Sequence, residues 1–161
     1  MTGGSHGGDA KIRSVSIYGF RSVRNLAFDV SDAVNILAGL NDHGKSNLLR
    51  ALHLFFTDDV EPNVPLQYGR DISHTRGRSA RRIEIELCLQ NNLAHPKLLS
   101  AIRRKRINAN EKLYVRRVWT GTVTGGAESV TDLVIEKADG KRTLYSTSIK
   151  PRSYRGESVV R

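Results

Sequence analysis

Cysteine is almost missing from this chain: Cys88 is the only one in 161 residues. No internal disulfide can form, and the place of Cys88 inside an apolar run reads as a buried, reduced thiol. Thiolate metal clusters and dithiol redox chemistry drop out with it. Histidine is equally uninformative, because His53 falls in a helical stretch while His74 and His95 stand alone, with no second His or Cys at metal-ligand spacing. Ser-His-Asp hydrolysis lacks its Gly-x-Ser-x-Gly elbow. Aromatics make up 6% of the chain, which leaves few platforms for stacked bases. No run approaches the roughly 18 apolar residues of a membrane span. Met1 to Ala10 is Gly-rich and polar, without the apolar core of a signal peptide. A cytoplasmic protein with no membrane partner is the expectation.

What is present is a basic, globular composition: 39% hydrophobic and 26% charged, with 26 Lys/Arg against 16 Asp/Glu for a net charge of +10. The length suits one domain with a core and is too short for two comfortable ones. Residues 1–62 hold 6 Lys/Arg and 7 Asp/Glu, so the whole positive excess lies after residue 62. Such a surface attracts polyanions, nucleic acid and nucleotides among them.

Residues 1–10 read as a disordered lead-in. Lys11 to Tyr18 alternates as a strand, with Ile12, Ser14, Ser16 and Tyr18 on one face, Arg13, Val15 and Ile17 on the other, and Gly19 as its end. Asn25 to Val30 reads as a second strand, and Ala33 to Ala38 as a third that is apolar enough to be covered on both faces. Lys45 to Phe56 carries Leu48, Leu49, Leu52 and Phe55 at helical spacing. Thr57 to Arg81, with Pro62, Pro65, Gly69 and Gly77, suits an exposed loop. Arg82 to Leu89 returns to strand. Pro96 opens a helix whose basic end is Arg103 to Arg106. Glu111 to Thr120, Thr131 to Lys137 and Arg142 to Ser148 are strand-like, the last two joined by a turn at Asp139-Gly140, where positive φ is accepted.

Gly39-Leu40-Asn41-Asp42-His43-Gly44-Lys45-Ser46 matches G-x-x-x-x-G-K-[ST] in full, between an apolar strand and an amphipathic helix. The glycines let the backbone curl so that successive N–H groups face phosphate oxygens, and the helix N-terminus adds its positive dipole end. Lys45 is the expected catalytic residue, bridging the β- and γ-phosphates. The Ser46 hydroxyl would complete the shell of a Mg²⁺ on those oxygens. Asp42 and His43 are unusual occupants, since a carboxylate beside a triphosphate repels it unless it turns outward. Asn47 follows directly and is counted with the nucleotide-binding positions. Neither Asn-Lys-x-Asp nor Asp-x-x-Gly occurs, which disfavours GTP.

The segment Ile17-Tyr18-Gly19-Phe20-Arg21-Ser22-Val23-Arg24-Asn25-Leu26, then Ala33 to Ala38, then Gly39 to Ser46 followed by Asn47-Leu48-Leu49-Arg50-Ala51-Leu52, resembles the N-terminus of the SMC/RecF/OLD-type ATPases. The likeness is close over residues 11–56 and extends only in general layout over 57–150. It implies an α/β fold: a P-loop NTPase lobe like an ABC-ATPase head, with a mixed β-sheet and antiparallel hairpins, over residues 11–150, leaving 151–161 as a tail or truncated continuation. It also implies that Arg21 lies near the nucleotide, an ordinary surface turn residue being the alternative. Heads of this kind pair around ATP and work on DNA in repair, chromosome organisation or antiphage defence. They need an apolar strand ending in Asp-Glu and a Ser-Gly-rich signature, and neither is found here. Glu84 and Glu86 alternate as residues of a half-exposed strand and read as solvated. The chain therefore resembles an N-terminal lobe completed by a second ATPase half or a homodimer partner.

Arg76, Arg78 and Arg81, beside Arg70 and Arg82, form one basic cluster, and Arg103 and Arg104 head another. Arginine forks suit phosphate oxygens, so possible DNA contact would be to the backbone and salt-sensitive. Two alternatives stay open: a non-catalytic nucleic-acid-binding module with a structural phosphate loop, and a small P-loop phosphotransferase.

Overall fold

The computed structural model describes residues 11–31, 35, 36, 38, 44–75, 78, 79, 82–90, 111–122, 124 and 126–147, with the main chain alone at 75, 78, 79, 90 and 145–147. In chain order the elements are β1 (Lys11–Phe20), β2 (Val23–Asp29), α1 (Lys45–Thr57), β3 (Asp59–Glu61), β4 (Val64–Pro65), α2 (Tyr68–Asp71), β5 (His74–Thr75), β6 (Arg78–Ser79), β7 (Ile83–Gln90), β8 (Lys112–Gly121), β9 (Ala127–Glu136) and β10 (Arg142–Thr147). Six of the strands make one sheet in the order β10-β9-β8-β7-β1-β2, and every neighbouring pair is antiparallel. β3 with β4 and β5 with β6 are separate two-stranded ribbons.

Alternation decides which face of the sheet is covered. Val15 and Ile17 of β1, Ile83, Ile85 and Leu87 of β7, and Trp119 of β8 are buried in one cluster with Leu48, Ala51, Leu54 and Phe55 of α1. Val60, Tyr68 and Ile72 close the same cluster. Burial of each such large side chain is worth about 1.5–3 kcal/mol, so this one-helix, one-sheet-face contact drives the fold. The other face carries ion pairs: Glu84 with Arg82, Glu86 with Arg142, and Asp132 with Arg116. Glu84 and Glu86 thus lie on the polar face as their alternation suggests, but they are covered by arginines and ion-paired, not solvated as expected. Cys88 is buried and free, and burial pushes its thiol pKa up, away from nucleophilic chemistry.

Several expectations need correction. Gly19 does not end β1: it lies inside the strand at φ 75, and Phe20 beyond it is fully buried. The stretch from Thr57 to Arg81 is no simple exposed loop, because β3, β4 and α2 fall in it and Val60, Tyr68, Asp71, Ile72 and Ser73 are buried. Pro62 and Asn63 make the tight turn between β3 and β4, and the scattered apolar residues are the anchors of the segment. β9 begins at Ala127, four residues ahead of the expected Thr131, since pairing along the whole of β8 draws in Ala127 to Val130. At the β9–β10 turn only Gly140 takes positive φ, at 78°, and its N–H donates to the Lys137 carbonyl at 2.9 Å. Of the expected strand from Ala33 to Ala38, the described Asn35, Ile36 and Ala38 lie in no strand and are exposed. The described sheet accordingly contains no parallel pair. The helix expected from Pro96 lies outside the described residues.

One arginine ties α1 to the sheet. The last turn of α1 has no basic residue of its own, and its carbonyls carry the negative end of the helix dipole. Arg117 of β8 meets them: Nη1 donates to the Phe55 carbonyl at 2.7 Å, Nη2 pairs with Asp58, and the guanidinium lies 4.9 Å from the centre of the Trp119 ring. Arg117→Ala is expected to lower the unfolding free energy by about 2 kcal/mol. Urea denaturation followed by Trp119 fluorescence measures it, and an unchanged midpoint would refute the assignment.

Candidate nucleotide site

α1 starts on a residue that has no side chain to cap it. Gly44 at its N-terminus takes φ 87, and the first turn of the helix has no acidic residue. An α-helix leaves its first N–H groups without intrahelical partners, and the dipole makes that end positive, so an anion is its natural complement. Gly44 is required twice over: its left-handed φ strains any other residue, and a Cβ would stand 3.0 Å from Ser22 Oγ. The turn that joins β1 to β2 therefore lies directly against the start of α1.

That turn is built from Arg21 and Ser22, between Phe20 and Val23, which pair across the hairpin. Arg21 takes φ 48, a left-handed conformation that costs a non-glycine residue about 1–2 kcal/mol. The carboxylate that stabilises it is Asp71, whose side chain has no solvent exposure. Arg21 Nε donates to Asp71 Oδ1 at 2.8 Å, Nη2 lies 2.8 Å from the same oxygen, and the Arg21 main-chain N–H donates to the Asp71 carbonyl at 2.7 Å. Asp71 Oδ2 accepts the Gln67 N–H at 2.9 Å and Arg70 Nη2 at 3.0 Å. Burial alone would raise the Asp71 pKa. The hydrogen bonds from Arg70, Gln67 and Arg21 outweigh it and hold the carboxyl below the usual aspartate range.

Asn47 joins the two parts. Its Nδ2 donates to Ser22 Oγ at 2.9 Å, while its Oδ1 lies 3.5 Å from Arg21 Nη1 and 3.4 Å from Arg50 Nη1. Arg50 in turn pairs with Glu61 of β3. Gly44, Lys45, Ser46, Asn47 and Arg21 are thus gathered around the first turn of α1. Lys45 is half-buried and Ser46 exposed, its hydroxyl accessible for a phosphate-bound cation. Among the described residues no three His, Cys, Asp or Glu side chains converge on a metal position. A Mg²⁺ here would accordingly rest on phosphate oxygens and Ser46. Gly39, Leu40, Asn41, Asp42 and His43 lie outside the described residues.

The basic clusters fare differently. Arg76, Arg81, Arg103 and Arg104 also lie outside the described residues, and Arg78 is described in its main chain only. Of their neighbours, Arg70 is committed to Asp71, and Arg82 to Glu84 and the Tyr18 ring. Asp71 and Ser22 are the contributors that sequence reasoning missed. The available signal was a single acid within an otherwise basic stretch, placed beside the buried Tyr68 and Ile72.

A helix that opens with Gly44, Lys45 and Ser46, the last three residues of Gly-x-x-x-x-Gly-Lys-Ser, is what a P-loop nucleotide-binding protein carries directly after its phosphate loop. Residues 11–145 match the sequence model of the AAA ATPase domain, and the chain belongs to that family. Membership implies nucleotide binding, and the family binds ATP with Mg²⁺. No curated protein matches the chain. No helix among the described residues is long and apolar enough to cross a membrane.

Because Asp71 has a lowered folded-state pKa, its contribution to stability is complete above the unfolded aspartate value of about 4 and is lost as the pH falls through the folded value. Wild type should therefore be more stable than Asp71→Asn at pH 7, with the gap closing below about pH 4. Thermal denaturation of both proteins across that range tests it, and a gap independent of pH would contradict the carboxylate's role.

Proposed function

We propose that the chain is the ATP-binding N-terminal lobe of an SMC/RecF/OLD-like ATPase, which binds Mg-ATP through Gly39 to Ser46 and needs a C-terminal half or partner for hydrolysis. The observation that carries this reading is the Arg21 turn packed against Gly44 at the start of α1, with Lys45 and Ser46 in the first turn of the helix and no acidic residue there. Main-chain N–H groups would bind the phosphates, Lys45 would add a point charge between the outer two, and Ser46 would ligate Mg²⁺, which supplies charge neutralisation at those oxygens.

The need for a second half has its own support. Between α1 and the β1–β2 hairpin runs an apolar groove of about 580 Å³ that includes Phe28, Val30, Ile36, Leu49, Leu52 and Phe56. Ile36 is 85% exposed, and Leu49 and Phe56 are each 63% exposed. Apolar surface gathered in one groove next to a nucleotide site suits an apolar segment of the completing half. That half would also bring the acidic strand and the signature that this sequence lacks. Action on DNA, in repair or antiphage defence, belongs to the same reading, with Arg76, Arg78, Arg81, Arg103 and Arg104 as its backbone contacts.

The test is equilibrium binding and turnover of Mg-ATP by the purified chain beside Lys45→Ala. Wild type should bind without multiple turnover, and Lys45→Ala should lose at least tenfold in affinity. Sustained turnover by the chain alone would favour a phosphotransferase instead. Salt-dependent DNA binding by a wild type that ignores ATP would favour the nucleic-acid module.

A further inference from the structure

Asp71 is fully buried, so it cannot meet a nucleotide itself, yet its carboxylate and its main-chain carbonyl both grip Arg21. The grip is one-sided. Nε and Nη2 of Arg21 both lie 2.8 Å from Asp71 Oδ1, which leaves Nη1 on the opposite side, where it meets Asn47 Oδ1 in the first turn of α1 at a long 3.5 Å. A guanidinium fixed along one edge presents the other in a set direction, which a free arginine would reach only by losing rotamer entropy. The left-handed backbone of Arg21 is stabilised by the same residue, through the hydrogen bond of its N–H to the Asp71 carbonyl.

We propose that Asp71 is a positioning residue for nucleotide binding, holding Arg21 by its Nε/Nη2 edge so that Nη1 faces the phosphate chain at the start of α1. This rests on the nucleotide-binding reading above. Arg70, whose guanidinium bonds the same carboxylate with its own side chain 46% exposed, braces Asp71 and serves as a comparison.

The experiment is a double-mutant cycle on Mg-ATP affinity, with wild type, Arg21→Ala, Asp71→Asn and the double variant, and with Arg70→Gln alongside; a thermal melt of each protein confirms that it is folded at the titration temperature. Arg21→Ala and Asp71→Asn should each weaken ATP binding about tenfold, and the double variant should also stay near tenfold, because Asp71 acts only through Arg21. Arg70→Gln removes one partner of Asp71 but leaves both Arg21 contacts, so it should weaken ATP binding by less than Asp71→Asn does. A loss as large as that of Asp71→Asn overturns the assignment of the effect to the Arg21 contact. A purely structural Asp71 would shift the melting temperature and leave the dissociation constant unchanged, or would give an additive loss near a hundredfold in the double variant, and either result overturns the proposal. If Asp71→Asn does not fold, Asp71→Glu enters the same cycle, since its extra methylene displaces the guanidinium while keeping the charge. Loss of ATP affinity in Asp71→Asn but not in Arg21→Ala overturns the positioning role alone; a wild type that binds no ATP overturns the nucleotide reading and this proposal with it.

Discussion

A carboxylate with no access to water has to be matched by donors or it unfolds its surroundings, and Asp71 is the residue on which this constraint falls. Its partners come from three places: Arg70 next to it, the Gln67 N–H at the start of α2, and Arg21 fifty residues earlier in the hairpin turn. Around that ion pair the main chains also interlock, with the Ser73 N–H donating to the Gly19 carbonyl at 2.7 Å and Phe20 bridging to Ile72. The end of the β1–β2 hairpin is thereby locked to the α2 segment. Ser22 and Asn47 then carry the same rigidity to the first turn of α1, so the candidate nucleotide site is set by contacts made on the side away from any ligand.

The sheet has a one-sided core, and apolar surface is left along one side of α1. α1 covers β1, β7 and the start of β3, while towards β2 its apolar residues Leu49 and Phe56 meet open space above Phe28 and Val30. The apolar composition of Ala33 to Ala38 suggests a covered strand, but its described residues Asn35, Ile36 and Ala38 pair with none of the described strands, and Ile36 is exposed.

Local pattern made much of the architecture legible. Alternation identified both Lys11 to Tyr18 and Ile83 to Leu87 as strands. It set Ile12 opposite Val15 and Ile17, whereas an irregularity in the pairing between Ile12 and Ser14 brings Ile12 against the same core. The spacing of Leu48 and Phe55 identified α1, and Asp139-Gly140 the last hairpin. Legibility failed where pairing is non-local. Asp71 reads as one more polar loop residue until the chain brings Arg21 to it, and the order of the strands in the sheet follows from contacts that no short window contains. At the site, the motif announced Gly44, Lys45 and Ser46, but the contact of Ser22 with Gly44 depends on a hairpin twenty residues away.

The conformation of Arg21 argues that its side chain matters more than its backbone preference. A two-residue hairpin turn with positive φ at its first position is met at least cost by glycine or asparagine. Arginine there accepts a penalty of about 1–2 kcal/mol that a stability-driven turn would avoid. The penalty is offset by an ion pair with a buried partner, which is favourable only because the guanidinium offers two donors to one oxygen in a fixed fork. Lysine has no such fork, and glycine would relieve the strain but leave the Asp71 carboxylate short of a counter-charge. The turn and the buried acid are therefore mutually dependent: each is unfavourable alone, and together they place a planar cation beside the N–H groups that a phosphate would fill.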